Sequence, residues 1–206
     1  MAKDSGATRL AEPAADGETR RSALKAGRRR QLLRAAAALI AERGFAGVRL
    51  EDLGAAAGVS GPAVYRHFPS KEAVLTELLV GISEGLLEGG RAVVDAAATP
   101  GEAVAGLIDF QLDFAFGEPE LIRIQDRDLA SLPPEPLHQV RQAQRRYVEI
   151  WVAAIRAARP GLAEVDARVQ AHAVFGLINS TPHSASRVPS ARARRILRAM
   201  AAAALT

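Results

Sequence analysis

The segment Val59 to Lys71, VSGPAVYRHFPSK, holds most of the side chains in this sequence that suit chemistry better than packing. Arg66 carries a planar, permanently charged fork that can bind guanine or phosphate at two points. Tyr65, His67 and Lys71 bring donors of the kind that hold phosphate oxygens. Ser60 and Ala63 share the segment, and Arg49 stands a short way before it. Arg49, Ser60, Ala63, Tyr65, Arg66, His67 and Lys71 are therefore the candidate contacts to a polyanion.

A second group lies in the later half. Phe110 and Phe114 are spaced i, i+4, and so are Tyr147 and Trp151; His172, Phe175 and Asn179 follow. Ring surface with a few polar groups suits a pocket for an apolar ligand. These seven residues are the candidate lining. Catalysis has no equivalent group. The sequence has no phosphate-binding glycine loop, no HExxH, no GxSxG and no clustered metal ligands. Asp109 and Asp113 share a helical face with no evident partner. Asp126 and Asp128 among Arg123 and Arg127 read as a solvated charge ladder. No enzyme, cofactor or metal site is expected.

The elements that carry these residues are helical. Alanine dominates the apolar half of the composition and aromatics make up only 4%. Small side chains suit close-packed helices, whereas strands want more β-branched and aromatic residues. A 3.6-residue period recurs along most of the chain. It predicts about nine helices, near 27–43, 50–57, 61–67, 71–96, 100–116, 119–131, 137–158, 163–180 and 190–205. Gly44 stops the first, Ser70 caps the fourth, and Thr99-Pro100-Gly101-Glu102 opens the fifth as a capping box. Residues 1–24 are polar without a period and are expected to be a disordered basic tail. TPHSASRVPS is expected to be a loop.

The second and third helices meet through Gly58-Val59-Ser60. A glycine that takes the left-handed conformation makes such a turn tight. Val59 and Val64 would fill the angle, and Ser60 would cap the next helix. Gly61, Ala63, Tyr65, Arg66 and His67 form that helix's outer face. A helix so short cannot stand alone. A tight turn feeding a short cationic helix is a helix-turn-helix, whose second helix enters a DNA major groove.

Charge supports the same partner. Residues 1–71 carry thirteen Lys/Arg against seven Asp/Glu, and the remainder fourteen against sixteen. Seven cations and no anion lie between Arg20 and Arg34, so this run could follow the minor groove as a basic arm. No cysteine is present. No apolar run reaches the ~20 residues of a membrane span, and the N-terminus lacks the apolar core of a secretory signal. A cytoplasmic protein with no membrane partner is the expectation.

Residues about 28–79 resemble the N-terminal domain of the TetR-like (tetracycline-repressor) transcriptional regulators. The likeness rests on Gly44-Phe45, on Leu53…Ala57-Gly58-Val59-Ser60, and on Val64-Tyr65-Arg66-His67-Phe68 followed by Ser70-Lys71-Glu72. The resemblance implies an all-α protein with the helix-turn-helix domain at 25–71 and a ligand-binding and dimerisation domain at 72–206. It implies repression of a near-palindromic double-stranded DNA operator by a homodimer, relieved by a small effector, for which an apolar molecule is expected. Tyr65, Arg66 and Lys71 fall where the family touches bases or phosphates, and His67 where it touches the backbone. Two positions depart. Gly61-Pro62 replaces a polar residue after the turn serine. Val48-Arg49 replaces the usual Thr or Ser before the second helix, losing a cap while offering a charge to phosphate. Small residues in the eighth and ninth helices, Ala171, Ala173, Gly176 and Ala199 to Ala204, suit a two-fold four-helix interface. Dimerisation there would set two recognition helices about 34–36 Å apart. The alternative is a non-catalytic α-helical adaptor whose basic end docks an acidic partner or a membrane surface.

Overall fold

The computed structural model describes residues 15–184 and 188–205. Ten α-helices and no strand occur among them: α1 (Ala15–Arg43), α2 (Leu50–Ala56), α3 (Gly61–Tyr65), α4 (Lys71–Ala96), α5 (Pro100–Gly117), α6 (Pro119–Asp128), α7 (Pro134–Ala158), α8 (Glu164–Asn179), α9 (Thr181–Ser184) and α10 (Ser190–Leu205). A 3-10 turn, Leu129–Ser131, follows α6. The nine expected helices are all present, and α9 is an extra single turn in the segment expected to be a loop. The chain is already helical from Ala15, where a disordered tail to residue 24 is expected. Ala, Arg, Lys, Glu and Leu favour helix without an apolar stripe, and Ser22, Ala23 and Leu24 are exposed on it. Residues 1–14, the rest of that expected tail, lie outside the described residues.

Two apolar cores hold the molecule. The first joins Leu32, Ala36 and Ile40 of α1 to Leu53, Val64 and Phe68 and to Val74, Leu75 and Leu79 at the start of α4. The inward stripe of α1 runs through Leu32, with Leu33 only half-buried. The second core centres on Leu107, Leu112, Tyr147, Trp151, Ile155, Ala171 and Ile178 of α5, α7 and α8. The long helix α4 enters both, through Leu79 in the first and Leu87 in the second. Ser70 caps its start, its Oγ accepting the Ala73 N–H at 3.2 Å, a bond that stabilises a helix by about 1 kcal/mol.

α6 lies between the cores, with Leu121 and Ile124 in the first and Ile122 in the second. α10 docks on the second core through buried Leu197, Ala201 and Leu205, and charge pairs align it on α5. Arg198 Nε and Nη2 donate to Asp109 at 2.8 and 3.0 Å, and Arg194 Nη1 lies 2.6 Å from Asp113. Asp109 and Asp113 are thus paired, contrary to the sequence reading, because α10 returns to α5 over some eighty residues of chain.

Candidate nucleic-acid interface and effector cavity

α2 and α3 meet at a turn where Gly58 takes φ +67°. The close approach depends equally on Gly54, which the sequence reading passed over. A Cβ there would sit 2.7 Å from Val64 Cγ2 and 3.0 Å from the Val59 carbonyl oxygen. Val64 is fully buried and Val59 half-buried, so the two valines fill the angle as expected. Ser60 takes the N-cap position of α3, but its side chain makes no cap hydrogen bond. Its carbonyl accepts from Ala63 and Val64 instead, and Pro62 in the first turn has no N–H to satisfy. α2 recovers part of a cap without Thr or Ser, since Asp52 Oδ2 accepts the Arg49 N–H at 2.8 Å.

α3 stands between two surface concavities. Lys25, Arg28, Ser60, Ala63, Arg66 and His67 line one. Arg49, Glu51, Tyr65, Ser70 and Lys71 line the other. The seven candidate contacts are thereby divided between the two flanks of one short helix. Arg66 is exposed and makes no hydrogen bond or ion pair among the described residues. Arg49 is exposed at the start of α2. Tyr65 is 51% exposed, and its hydroxyl donates to Glu51 Oε1 at 2.8 Å. That hydrogen bond holds the Glu51 carboxyl below its ordinary pKa and raises that of Tyr65.

Three of the expected contacts are more structural than their residue types suggest. Lys71 Nζ donates to the carbonyls of Phe45 and Val48 at 3.1 and 3.3 Å and lies 4.5 Å from the centre of the Phe45 ring. Its ammonium thus ties the loop before α2 to α4. His67 is half-buried, with a buried Nδ1 that has no partner among the described residues. Burial, reinforced by Arg29 and Lys25, pushes its pKa below the ordinary imidazole value. Within the basic run, Arg29 pairs with Glu77, donates to the His67 carbonyl at 2.5 Å and lies 4.2 Å over the Phe68 ring. It clamps α1 to α4, while Lys25 and Arg28 reach the concavity beside α3. That placement follows from the helical extension of α1, which the sequence reading shortened.

The second core borders a cavity of about 230 Å³ that opens to the surface beside the exposed His172. Phe114, Tyr147, His172, Phe175 and Asn179 line it, as expected, together with Ser83, Leu86, Gln111, Ile122, Gln125, Asp126, Gln144 and Val148. Two expected residues do not line it. Phe110 packs against Gly89, where a Cβ would lie 2.2 Å from its ring. Trp151 is fully buried behind the cavity, edge-on to Phe175 with ring centres 5.0 Å apart. Helical spacing already links Gln144 to Tyr147 and Val148 at i, i+3 and i, i+4, and Ile122 to Gln125 at i, i+3, a signal available in the sequence. The lining is more polar than ring counting implies. The Tyr147 hydroxyl donates to Gln111 Oε1 at 3.0 Å, and Gln111 Nε2 donates to Asn179 Oδ1 at 3.0 Å. This chain joins α7, α5 and α8. Breaking it would strand the buried Gln111 amide, at a cost of about 1–3 kcal/mol. Asp126 faces the cavity, and partial burial of its carboxyl raises its pKa. Asp128 is buried against the end of α1. Neither belongs to a solvated ladder.

One further surface is conspicuous. Val165 and Val169 of α8 are 66% and 64% exposed, and Ile196 and Met200 of α10 are 45% and 52% exposed. Ala173, Gly176, Ala199 and Ala203 are exposed beside them at helical spacing. No group of three metal-ligating side chains occurs among the described residues. No described helix is long and apolar enough to cross a membrane.

Comparison with known proteins agrees with this geometry. Residues 32–78 match the family described as bacterial regulatory proteins, tetR family, and residues 97–183 match the tetracyclin repressor-like C-terminal domain. The chain is 36% identical over 130 residues to the HTH-type transcriptional repressor KstR2 of Mycobacterium tuberculosis, covering 61% of this chain and 63% of that protein. The match therefore spans less than two thirds of the relative's length. Among solved structures, the TetR family transcriptional regulator PfmR of Thermus thermophilus superposes with a TM-score of 0.72 at 26% identity, covering 84% of this chain and 93% of that one. The ketosteroid transcriptional regulator KstR2 of M. tuberculosis superposes with a TM-score of 0.75 at 23% identity, covering 86% and 93%, a likeness of fold.

Proposed function

The chain belongs to the tetR family of bacterial regulatory proteins, and from that premise we propose that it is a ligand-released transcriptional repressor that binds a near-palindromic operator as a homodimer. The observation that carries this reading is the exposed Arg66, without a partner among the described residues, on a short helix flanked by two concavities that hold Lys25, Arg28 and Arg49. Arg66 reads a base edge, most readily guanine. Arg49, Ser60, Tyr65, His67 and the remaining donor of Lys71 hold phosphate and fix the register. Ala63 allows the helix to sit close. Residues 25–71 form the DNA-binding unit and residues 72–206 the effector and dimerisation unit.

The effector occupies the cavity walled by Phe114, Tyr147, Phe175 and Asn179. The apolar stripes of α8 and α10 meet those of a second copy, because contiguous exposed apolar surface on a soluble chain marks an interface. Repression follows the activity printed for the mycobacterial relative. The protein acts without catalysis of its own, in the cytoplasm where bacterial DNA lies.

Fluorescence anisotropy against the DNA flanking the protein's own gene, across a salt series, tests the reading. Wild type binds with steep salt dependence. Arg66→Ala keeps a salt slope but loses sequence preference by about 1–3 kcal/mol at one base position. Equal affinity of wild type for specific and scrambled DNA would sink the proposal.

A further inference from the structure

The helix-turn-helix unit is basic, yet three carboxylates lie between residues 25 and 71: Glu42, Glu51 and Asp52. Glu42 lies 4.0 Å from Arg43 at the end of α1, and Asp52 caps α2 through the Arg49 N–H. Glu51 does neither. A Cβ on Gly61 would lie 3.8 Å from Glu51 Cγ, so the Glu51 stem runs past the first turn of α3. Its Oε1 accepts the Tyr65 hydroxyl at 2.8 Å, one turn further on. A long side chain at Gly61, in place of the missing one, would compete for that space. The glycine thus leaves room beside α3 for an acid brought from α2.

A carboxylate on a surface that meets a polyanion is unfavourable unless something there donates to it. Arg49 lines the same concavity but forms no ion pair with Glu51 among the described residues. Tyr65 is the donor, and a phenol has one proton to give. Directed at Glu51, that proton does not serve phosphate. Tyr65 therefore holds phosphate only by releasing Glu51, and the released carboxylate then needs another donor. The phosphate backbone offers none. In the major groove the donors are the amino groups of cytosine and adenine, and a carboxylate suits cytosine N4. Guanine and thymine present oxygen acceptors instead, which a carboxylate repels.

We propose that Glu51 is a specificity-determining residue: its carboxylate accepts a cytosine amino group in the major groove, and the Tyr65 hydroxyl, released by that exchange, closes on phosphate. A phosphate contact, which by itself carries no sequence information, becomes conditional on a base. The proposal rests on the reading of α3 as the recognition helix, and gives that helix a second base reader on the flank opposite Arg66.

Fluorescence anisotropy of the full chain tests it on three kinds of duplex. These are the footprinted site beside the protein's own gene, the same site with each base pair changed in turn, and a scrambled duplex. For wild type, replacing one C·G pair in each half-site by T·A weakens binding by about tenfold, because thymine O4 stands where the cytosine amino donor stood. Glu51→Ala removes that penalty, keeps the preference set by Arg66 and binds the scrambled duplex more tightly than wild type does. Tyr65→Phe weakens binding to the site but not to the scrambled duplex. In the Glu51→Ala background the same change weakens both equally, since the freed hydroxyl reaches phosphate on any sequence. Both side chains are exposed, so each variant melts near the wild-type temperature. Glu51→Ala with the wild-type preference at every base pair overturns the proposal, and so does a Tyr65→Phe loss of equal size on the site and the scrambled duplex. A wild type that does not distinguish the two duplexes refutes the regulator reading, and this one with it, before any variant is made.

Discussion

The Asp128 carboxylate accepts the backbone N–H of Phe45 at 3.2 Å, across 83 residues of chain. Beside it, Arg127 donates to the Ile40 and Ala41 carbonyls at 2.5 and 3.3 Å, satisfying the end of α1, while its Nη2 also lies 3.0 Å from Asp128. Gly44, at φ +80°, lies under that guanidinium. One turn earlier on α6, Ile122, Gln125 and Asp126 line the candidate effector cavity. A single short helix therefore touches both the cavity and the point where α1 hands over to the helix-turn-helix.

Removing this latch destabilises the fold. Asp128→Ala leaves a buried amide without an acceptor and costs about 1–3 kcal/mol. Arg127→Ala costs less, about 1 kcal/mol or below, because its guanidinium is 45% exposed and screened. Urea denaturation reads both. Asp128→Ala unfolding at the wild-type midpoint would mean that the Phe45 bond adds nothing.

The turn between α2 and α3 tolerates no side chain at Gly54. Gly54→Ala forces Val64 and the Val59 carbonyl apart and costs about 1–3 kcal/mol. Gly58→Ala strains a left-handed residue by roughly 1–2 kcal/mol. Gly85→Ala on exposed α4, where a Cβ meets nothing within 4 Å, is neutral or stabilising by up to about 1 kcal/mol. Thermal melts of the three variants rank them. Equal melting of Gly54→Ala and Gly85→Ala would contradict the close approach.

His67 makes stability depend on pH. Burial, with Arg29, Lys25, Arg66 and Arg28 nearby, lowers its pKa in the folded state. The unfolded chain therefore binds the proton more readily, starting near the ordinary value of about 6.5. Stability is full above that pH and falls as pH drops toward the folded pKa. Urea midpoints on either side of this window show a loss in wild type that His67→Gln reduces. An identical pH profile in the variant would assign the loss to other groups.

The exposed stripes on α8 and α10 predict a dimer that charge can split. Light scattering of the wild type gives twice the chain mass, whereas Val169→Glu with Met200→Glu gives a single chain with unchanged helix content. The split protein also loses tight operator binding, since one half-site supplies only part of the phosphate contacts. A wild type that runs as a monomer at micromolar concentration rules this interface out.

Much of this architecture is legible from short windows of sequence. The nine helices follow from a 3.6-residue period, and Ser70, Thr99 and Gly58 act within a few residues of where they stand. The helical start of α1 at Ala15 is not legible in the sequence, because its alanine- and arginine-rich beginning lacks an apolar stripe. The cavity was half legible. Phe114, Tyr147 and Phe175 were in place, but Trp151 and Phe110 turned out to be packing, and the amides Gln111, Gln125 and Gln144 define the wall as much as the rings do.

The sequence by itself determined the helical elements, the tight turn and the basic short helix, because periodicity, caps and turn glycines act between neighbours. Which charges remain free was decided only by the tertiary structure. Arg29 is spent on Glu77, 48 residues away, Lys71 on Phe45 and Val48, and Arg198 on Asp109. Arg66, Arg141 and Arg145 make no such bond among the described residues. Charge and type are the same for all the arginines. Pairing depends on which distant helix the fold brings within hydrogen-bond reach, and no local pattern encodes that distance.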